Sequence, residues 1–235
     1  MDVLKVDRKK RGKRAVFEWE KEEWTEAEIV LRSCEFTVPS SSHASILRWK
    51  AGYGEFPNEE RRDRVNANLF KDSPEKKQWS ELIATDGVLR LSAEEVMYLV
   101  EEERAFLARE GVRLTSQETF EYLSESRRRF FHSYTAYRYL RRSGWTPRCG
   151  VSLGCDYVIY DGLPSEVHAS AGVVIERERP LDSMECEGLC RSLWHIKKHL
   201  IILSISADIL AYDSIDGAEV TTATLAPTTF NGQGG

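Results

Sequence analysis

Apolar positions follow two different spacings along this chain, and the change comes after Trp145. Between 86 and 129 they recur at helical intervals. "LSAEEVMYLVEEERAFL" opens with Ser92 and Glu95 as a capping box, and Val96, Leu99 and Val100 follow on one face. "SQETFEYLSESRRRF" predicts a second helix. "FFHSYTAYRYLRRSGW" predicts an amphipathic third, with Phe130, Tyr134 and Tyr137 aligned and Gly144 as its stop. Beyond Trp145 the runs shorten to strand length: "TPRCGVS", "CDYVIY" and "HASAGVVIER". One more helix, "LDSMECEGLCRSL", starts at a cap made by Asp182 and Glu185. "HIKKHLIILSIS" then reads as a buried strand and "AEVTTATLA" as a last, weaker one. Before residue 86 the pattern is faint. "FEWEKEEWTEAEIVLRS", with Trp19 and Trp24, predicts an ordered helical piece, while "TVPSSSHAS" and "KDSPEKKQ" read as loops. The expected class is α/β in the α+β sense, a mostly helical N-terminal region followed by a mixed α/β domain. The boundaries are 1–85 for an N-terminal extension, 86–128 for a helical domain, 129–228 for the α/β domain and 229–235 for a flexible tail.

Composition narrows the class. With 235 residues, 41% hydrophobic and 30% charged, the chain has enough apolar material for a core without staples. Its longest apolar run, "LIILSI", falls far short of the ~20 residues of a membrane-spanning helix, so no membrane association is expected. The N-terminal "MDVLKVDRKKRGKR" lacks the apolar core of a secretory signal. Five cysteines (Cys34, Cys149, Cys155, Cys186 and Cys190) form no CxxC pair, which fits reduced thiols in an intracellular compartment and argues against structural zinc.

The net charge of −5 conceals an asymmetry. Seven arginines and no acidic residue lie between 127 and 148: Arg127, Arg128, Arg129, Arg138, Arg141, Arg142 and Arg148. A second basic group, Arg8, Lys9, Lys10, Arg11, Lys13 and Arg14, sits near the N-terminus. Such patches attract phosphate whatever the net charge, although a basic run is as readily a solvated helix face. The N-terminal run also fits a nuclear localisation signal, so a nuclear location is the expectation.

The chemistry centres on "CDYVIYDGLPSEVHASAGVVI". Tyr160 ends one predicted strand, His168 begins the next, and the turn between them carries Gly162 and Pro164. A tyrosine and a histidine so placed are either ordinary packing or half of an acid–base pair. A wider stretch weighs on the choice. "YTAYRYLRRSGWTPRCGVSLGCDYVIYDGLPSEVHASAGVVI" closely resembles the catalytic domain of the tRNA-splicing endonucleases. Members of that family show a Y-x-x-Y-x-x-L/F-R helix, a Gly-Trp, a Gly-x-x-x-Gly-x-D segment, a Tyr and a Pro-x-x-x-His. "RSLWHIKKHLIIL" resembles their third segment, an arginine and six residues before a lysine that leads into an apolar strand; Arg191 and Lys198 have that spacing. The resemblance covers 130–206 and extends faintly over 91–110.

The resemblance implies a catalytic triad of Tyr160, His168 and Lys198, with no metal and no cofactor. It implies RNA contacts from Arg191, joined by Arg138, Arg141 and Arg142 of the basic helix. Intron-containing pre-tRNA would be the substrate, and other subunits of a hetero-oligomeric endonuclease would be partners. The Tyr160–His168 spacing and the "HAS" after the turn are most similar to the eukaryotic subunit that cuts the 5′ splice site. The sister subunit cutting the 3′ site, and a non-catalytic subunit or RNA-binding module, are the alternatives; a scaffold has no need of the complete Tyr–His–Lys set.

Elementary chemistry explains why those residue types are needed. RNA is cut without metal when its own 2′-hydroxyl attacks the adjacent phosphorus. A base must take the 2′ proton, an acid must protonate the departing 5′ oxygen, and a cation must hold the growing phosphorane charge. Imidazole, ordinarily near pKa ~6.5, suits the acid. Phenol, near ~10, becomes a base only when something favours phenolate, and a neighbouring ammonium does so.

Several rival readings use the same residues. Strand alternation sends only one of Lys197 and Lys198 to the site; the family spacing picks Lys198, with Lys197 as the fallback. His195 and His199 have a zinc-like H-x-x-x-H spacing, but in a strand residues four apart stand ~13 Å from each other. Asp156 and the "ERE" at 176–178 faintly match a metal nuclease pattern, which would need a lysine where Glu178 stands. Two departures from the family are visible. Ser152 and Leu153 replace a basic and an aromatic residue before the second glycine. No tryptophan follows Trp194 to stack with Arg191, leaving Phe230 as a poor substitute.

Overall fold

The computed structural model describes residues 24–32, 34–57, 88–176, 179–207 and 210–226. They fall into two compact units, one running to Phe130 and the other from Phe131 onward. The basic run at 8–14, Trp19, "KDSPEKKQ", Glu178, Phe230 and the 229–235 tail lie outside the described residues.

The first unit is organised on a sheet. Strands β1 (Ala27–Arg32), β2 (Glu35–Val38), β3 (Leu89–Leu91), β4 (Ala105–Arg109) and β5 (Val112–Arg113) lie in the order β3-β2-β1-β4-β5, with only β1 and β4 parallel. Among the described residues, helices α1 (Ser41–Trp49), α2 (Ala93–Glu101) and α3 (Ser116–Ser126) join it. The α/β class is therefore the observed one, but the expectation of a mostly helical N-terminal region is corrected. "AEIVLR" within the stretch read as helical is strand β1. Ala27 and Ile29 are buried while Glu28 between them is exposed, a period of two rather than 3.6. Likewise "AFLAR" is β4, because α2 stops at Glu101 and Arg104 N–H returns to the Leu99 carbonyl. The "SSSHAS" read as loop opens helix α1, whose N-cap Ser40 accepts a hydrogen bond from His43 N–H.

The second unit carries the predicted elements closely. Helix α4 (Phe130–Arg142) buries Tyr134, Tyr137 and Leu140, and ends at Gly144 (φ 83°), where Trp145 N–H reaches the Leu140 carbonyl. Strands β6 (Thr146–Cys149), β7 (Tyr157–Tyr160), β8 (Ala169–Ile175), β9 (His199–Ser206) and β10 (Glu219–Leu225) form a sheet in the order β10-β9-β8-β7-β6. Only β8 and β9 are parallel. Parallel neighbours need a crossover, and helix α5 (Ser183–His195) supplies it, starting at the Asp182–Glu185 capping box.

Each sheet face has its helix. Cys190 and Leu193 of α5 pack on Cys155, Val174, Leu200 and Ile202. On the opposite face Tyr157 donates its hydroxyl to the Ser133 carbonyl of α4 at 3.0 Å. The α5 side is tight. A Cβ on Gly172 of β8 would meet Cys155 Sγ at 2.6 Å and the Leu193 methyls at 2.9 Å. Gly172→Ala is therefore expected to destabilise this unit by about 1–3 kcal/mol through overpacking, read as a lower midpoint of thermal unfolding. An unchanged midpoint would mean that α5 yields freely.

Candidate active site

The approach to β7 is built from the Gly-x-x-x-Gly-x-Asp segment. Gly150 admits no side chain, since a Cβ would lie 2.7 Å from the Tyr157 carbonyl carbon. Val151–Leu153 make one 3-10 turn, and Gly154 ends it in the left-handed region at φ 74°. Asp156 then accepts the Ile175 N–H at 2.8 Å, tying the start of β7 to the end of β8. Leu153 packs against the core cluster under α5, and Ser152 is exposed. The departure from the family at these two positions therefore keeps an apolar contact and leaves a hydroxyl facing solvent.

Because β7 runs against β8 and β8 runs with β9, the end of β7 and the starts of β8 and β9 share one end of the sheet. Tyr160, His168 and Lys198 stand there. Ile159 pairs with Ala171, but Tyr160 pairs with Ala169, so Ser170 is left over as a bulge. Bulges redirect side chains where they occur. Ala169 is thus directly opposite Tyr160, immediately follows His168, and offers its carbonyl oxygen to Lys198 Nζ. One residue gathers the three candidates. His168 is exposed and Tyr160 half-buried, and neither side chain has a hydrogen-bond partner among the described residues.

Helix α5 aims the lysine. Its last turn closes with Lys197 N–H on the Trp194 carbonyl and Lys198 N–H on the Leu193 carbonyl, both at 2.9 Å. This paired ending turns the chain at Lys197 (φ 56°) and sends Lys198 into β9. Lys198 has the alternation parity of Leu200 and Ile202, the α5 face. Lys197 precedes the strand and is exposed.

The arginines divide. Arg138 is buried, and its guanidinium bonds to Asp216 at 2.5 Å; that bond holds the Asp216 carboxyl below its usual range. Among the named arginines, Arg138 is thus the one whose guanidinium is buried in an ion pair. Arg141 stacks over Tyr137 and donates to its hydroxyl at 3.0 Å. Arg142 is exposed, 3.7 Å from Asp216, and Arg191 is exposed on α5 with Glu187 at 3.1 Å. Sequence reasoning missed Asp216, which lies 78 residues from its partner with no local pattern to flag it.

Of the residues behind the metal alternatives, the carboxylates Asp156 and Glu176 have other partners. His195 closes a helix and His199 opens a strand, so the strand-spacing argument for separating them does not apply. Among the described residues no group of three or more His, Cys, Asp and Glu is placed to hold an ion. Asp156 bonds to β8 backbone, and Glu176 accepts from Ser204 Oγ. All five cysteines are free; burial, and then Asp156, push the Cys155 thiol up to about 11, which suits a packing residue. Among the described residues no helix is long and apolar enough to cross a membrane.

Comparison with known proteins meets the same strands. The profile of the tRNA intron endonuclease, catalytic C-terminal domain, matches residues 130–210. A tRNA-splicing endonuclease subunit Sen2 from Gallus gallus is 33% identical over 124 residues, 48% of this chain and 27% of that protein. The chain thus spans about a quarter of the chicken relative. A tRNA-splicing endonuclease from Methanococcus maripaludis is 32% identical over 126 residues, 52% of this chain and 71% of the archaeal protein. With the sheet, its two flanking helices and the Gly-x-x-x-Gly-x-Asp turn in place, the chain belongs to the tRNA-splicing endonuclease family.

Proposed function

We propose that this chain is a catalytic subunit of an RNA endonuclease that cuts intron-containing pre-tRNA at an exon–intron junction. The convergence of Tyr160, His168 and Lys198 on Ala169 carries the reading. Tyr160 takes the proton from the 2′-hydroxyl, which attacks the adjacent phosphorus. Lys198 offsets the charge that builds on the non-bridging oxygens. His168 protonates the departing 5′ oxygen, leaving a 2′,3′-cyclic phosphate and a 5′-hydroxyl. Exposed Arg142 and Arg191 contact phosphates, and specificity comes from the shape of the unpaired bulge at the junction.

The 5′ splice site is the favoured target, supported by the Tyr160–His168 spacing and by likeness to proteins named Sen2. Other endonuclease subunits are the partners, docking along exposed edge strand β10 and β9 beside it; the nucleus is the location, on the strength of the basic run at 8–14. The test is incubation with an intron-containing pre-tRNA, alone and with candidate partner subunits, followed by end-group analysis. Cleavage is expected to persist in EDTA, to leave cyclic phosphate, and to stop with a single 2′-deoxy at the scissile nucleotide. Ends bearing 3′-hydroxyl, or full inhibition by EDTA, would overturn the mechanism.

A further inference from the structure

We infer that Lys197 is a second phosphate-binding cation of this site, gripping the RNA backbone beside the scissile phosphate; the inference rests on the endonuclease reading above. The starting observation is the left-handed backbone at Lys197 (φ 56°). That position in a paired helix ending is where glycine is least costly, because a Cβ crowds the following carbonyl. Helix α4 of the same unit ends with the equivalent two hydrogen bonds and has Gly144 there. Helix α2 closes on Glu103 at φ 54°, so a side chain is tolerated at such a turn. What distinguishes Lys197 is its surroundings.

Its basic neighbours each have a protein partner as well as their part in the proposed reaction. Arg191 is held by Glu187 at 3.1 Å, and Lys198 bonds to the Ala169 carbonyl. Lys197 is exposed, and its ammonium has no partner among the described residues. It is therefore an uncompensated cation, one residue from the lysine of the candidate triad, on a turn fixed by two backbone hydrogen bonds. Strain kept where glycine would relieve it, next to a reactive site, is the form in which function is retained against stability.

The test uses the full chain assembled with its partner subunits and an uncleavable pre-tRNA carrying the 2′-deoxy substitution. Binding is measured across a salt series, with thermal unfolding beside it. Lys197→Gly is expected to raise the unfolding midpoint and still weaken binding about fourfold near ~0.15 M salt, with the salt slope shallower by about 0.7. Lys197→Gln should show the same slope change, and Lys197→Arg should restore it. Unchanged affinity and slope in both neutral variants, while the assembly still cleaves ordinary pre-tRNA, would overturn the assignment. So would a lower midpoint in Lys197→Gln with binding intact, which would make the charge a helix-end stabiliser. A wild-type assembly that neither binds nor cuts the RNA removes the endonuclease reading itself.

Discussion

Replacing His168 by alanine is expected to slow single-turnover cleavage of intron-containing pre-tRNA by about 10²–10⁴-fold, while the RNA binds with wild-type affinity. The expectation follows from where the ring sits. His168 is exposed, stands just ahead of β8, and has no hydrogen-bond partner among the described residues. Removing it takes nothing from the core, and exposed substitutions of that kind usually shift stability by less than about 0.5 kcal/mol. The loss should therefore fall on the chemical step, with the unfolding midpoint unmoved. Tyr160 calls for a gentler change because it is half-buried at the bulge; Tyr160→Phe removes the hydroxyl and keeps the ring. A His168→Ala protein that cuts at the wild-type rate rules out the acid role. One whose binding and midpoint fall with its cleavage assigns the residue to folding.

What the sequence disclosed and what it withheld differ by the range of the interactions. Capping boxes, the Gly144 stop and the centres of the strand runs after Trp145 are local and are found where they are read, although "TPRCGVS" passes into a 3-10 turn and His195 of "HIKKHLIILSIS" belongs to α5. Strand β1 reads as helix in the sequence because "EAEIVLR" is rich in helix-forming residues; only the partners β2 and β4 on either side make its period of two decisive. Arg138 was legible in part. It lies four residues after Tyr134 and eight after Phe130, on the helix's apolar stripe, so burial was signalled. The basic run around it obscured that signal, and its partner Asp216 belongs to a distant turn.

The candidate site shows the same division. The resemblance to the family's motifs implies Tyr160, His168 and Lys198, yet the bulge at Ser170 has no mark in "HASAGVVI". Register depends on what both strands do at once, and β7 ends where the mismatch begins. The choice between Lys197 and Lys198 was likewise open to alternation alone. Helix α5 ends at His195 and the chain turns at Lys197, so that Lys198 is carried into line with β9.

Lys198 itself should give the most discriminating result, because its side chain has two separable jobs. Its ammonium bonds to the Ala169 carbonyl, and in the proposed reaction it also faces the phosphorane charge. Lys198→Met keeps an unbranched stem one atom shorter and removes both the donor and the charge. Cleavage is expected to fall by about 10²–10³-fold, the usual cost of one transition-state donor, and stability by about 1 kcal/mol for the orphaned carbonyl. Lys198→Arg keeps the charge but presents a planar fork in place of a compact ammonium. It should recover most of the stability and only part of the rate, because the reacting oxygens demand a tighter fit than a backbone carbonyl does. Lys197→Met is expected to weaken binding more than it slows the chemical step of bound RNA, if that side chain holds a neighbouring phosphate as proposed. Single-turnover rates at saturating RNA, measured with thermal unfolding, separate these outcomes. If Lys198→Met loses stability but cleaves bound RNA at the wild-type rate, the lysine is a clasp for the bulge and the charge in the transition state comes from another group.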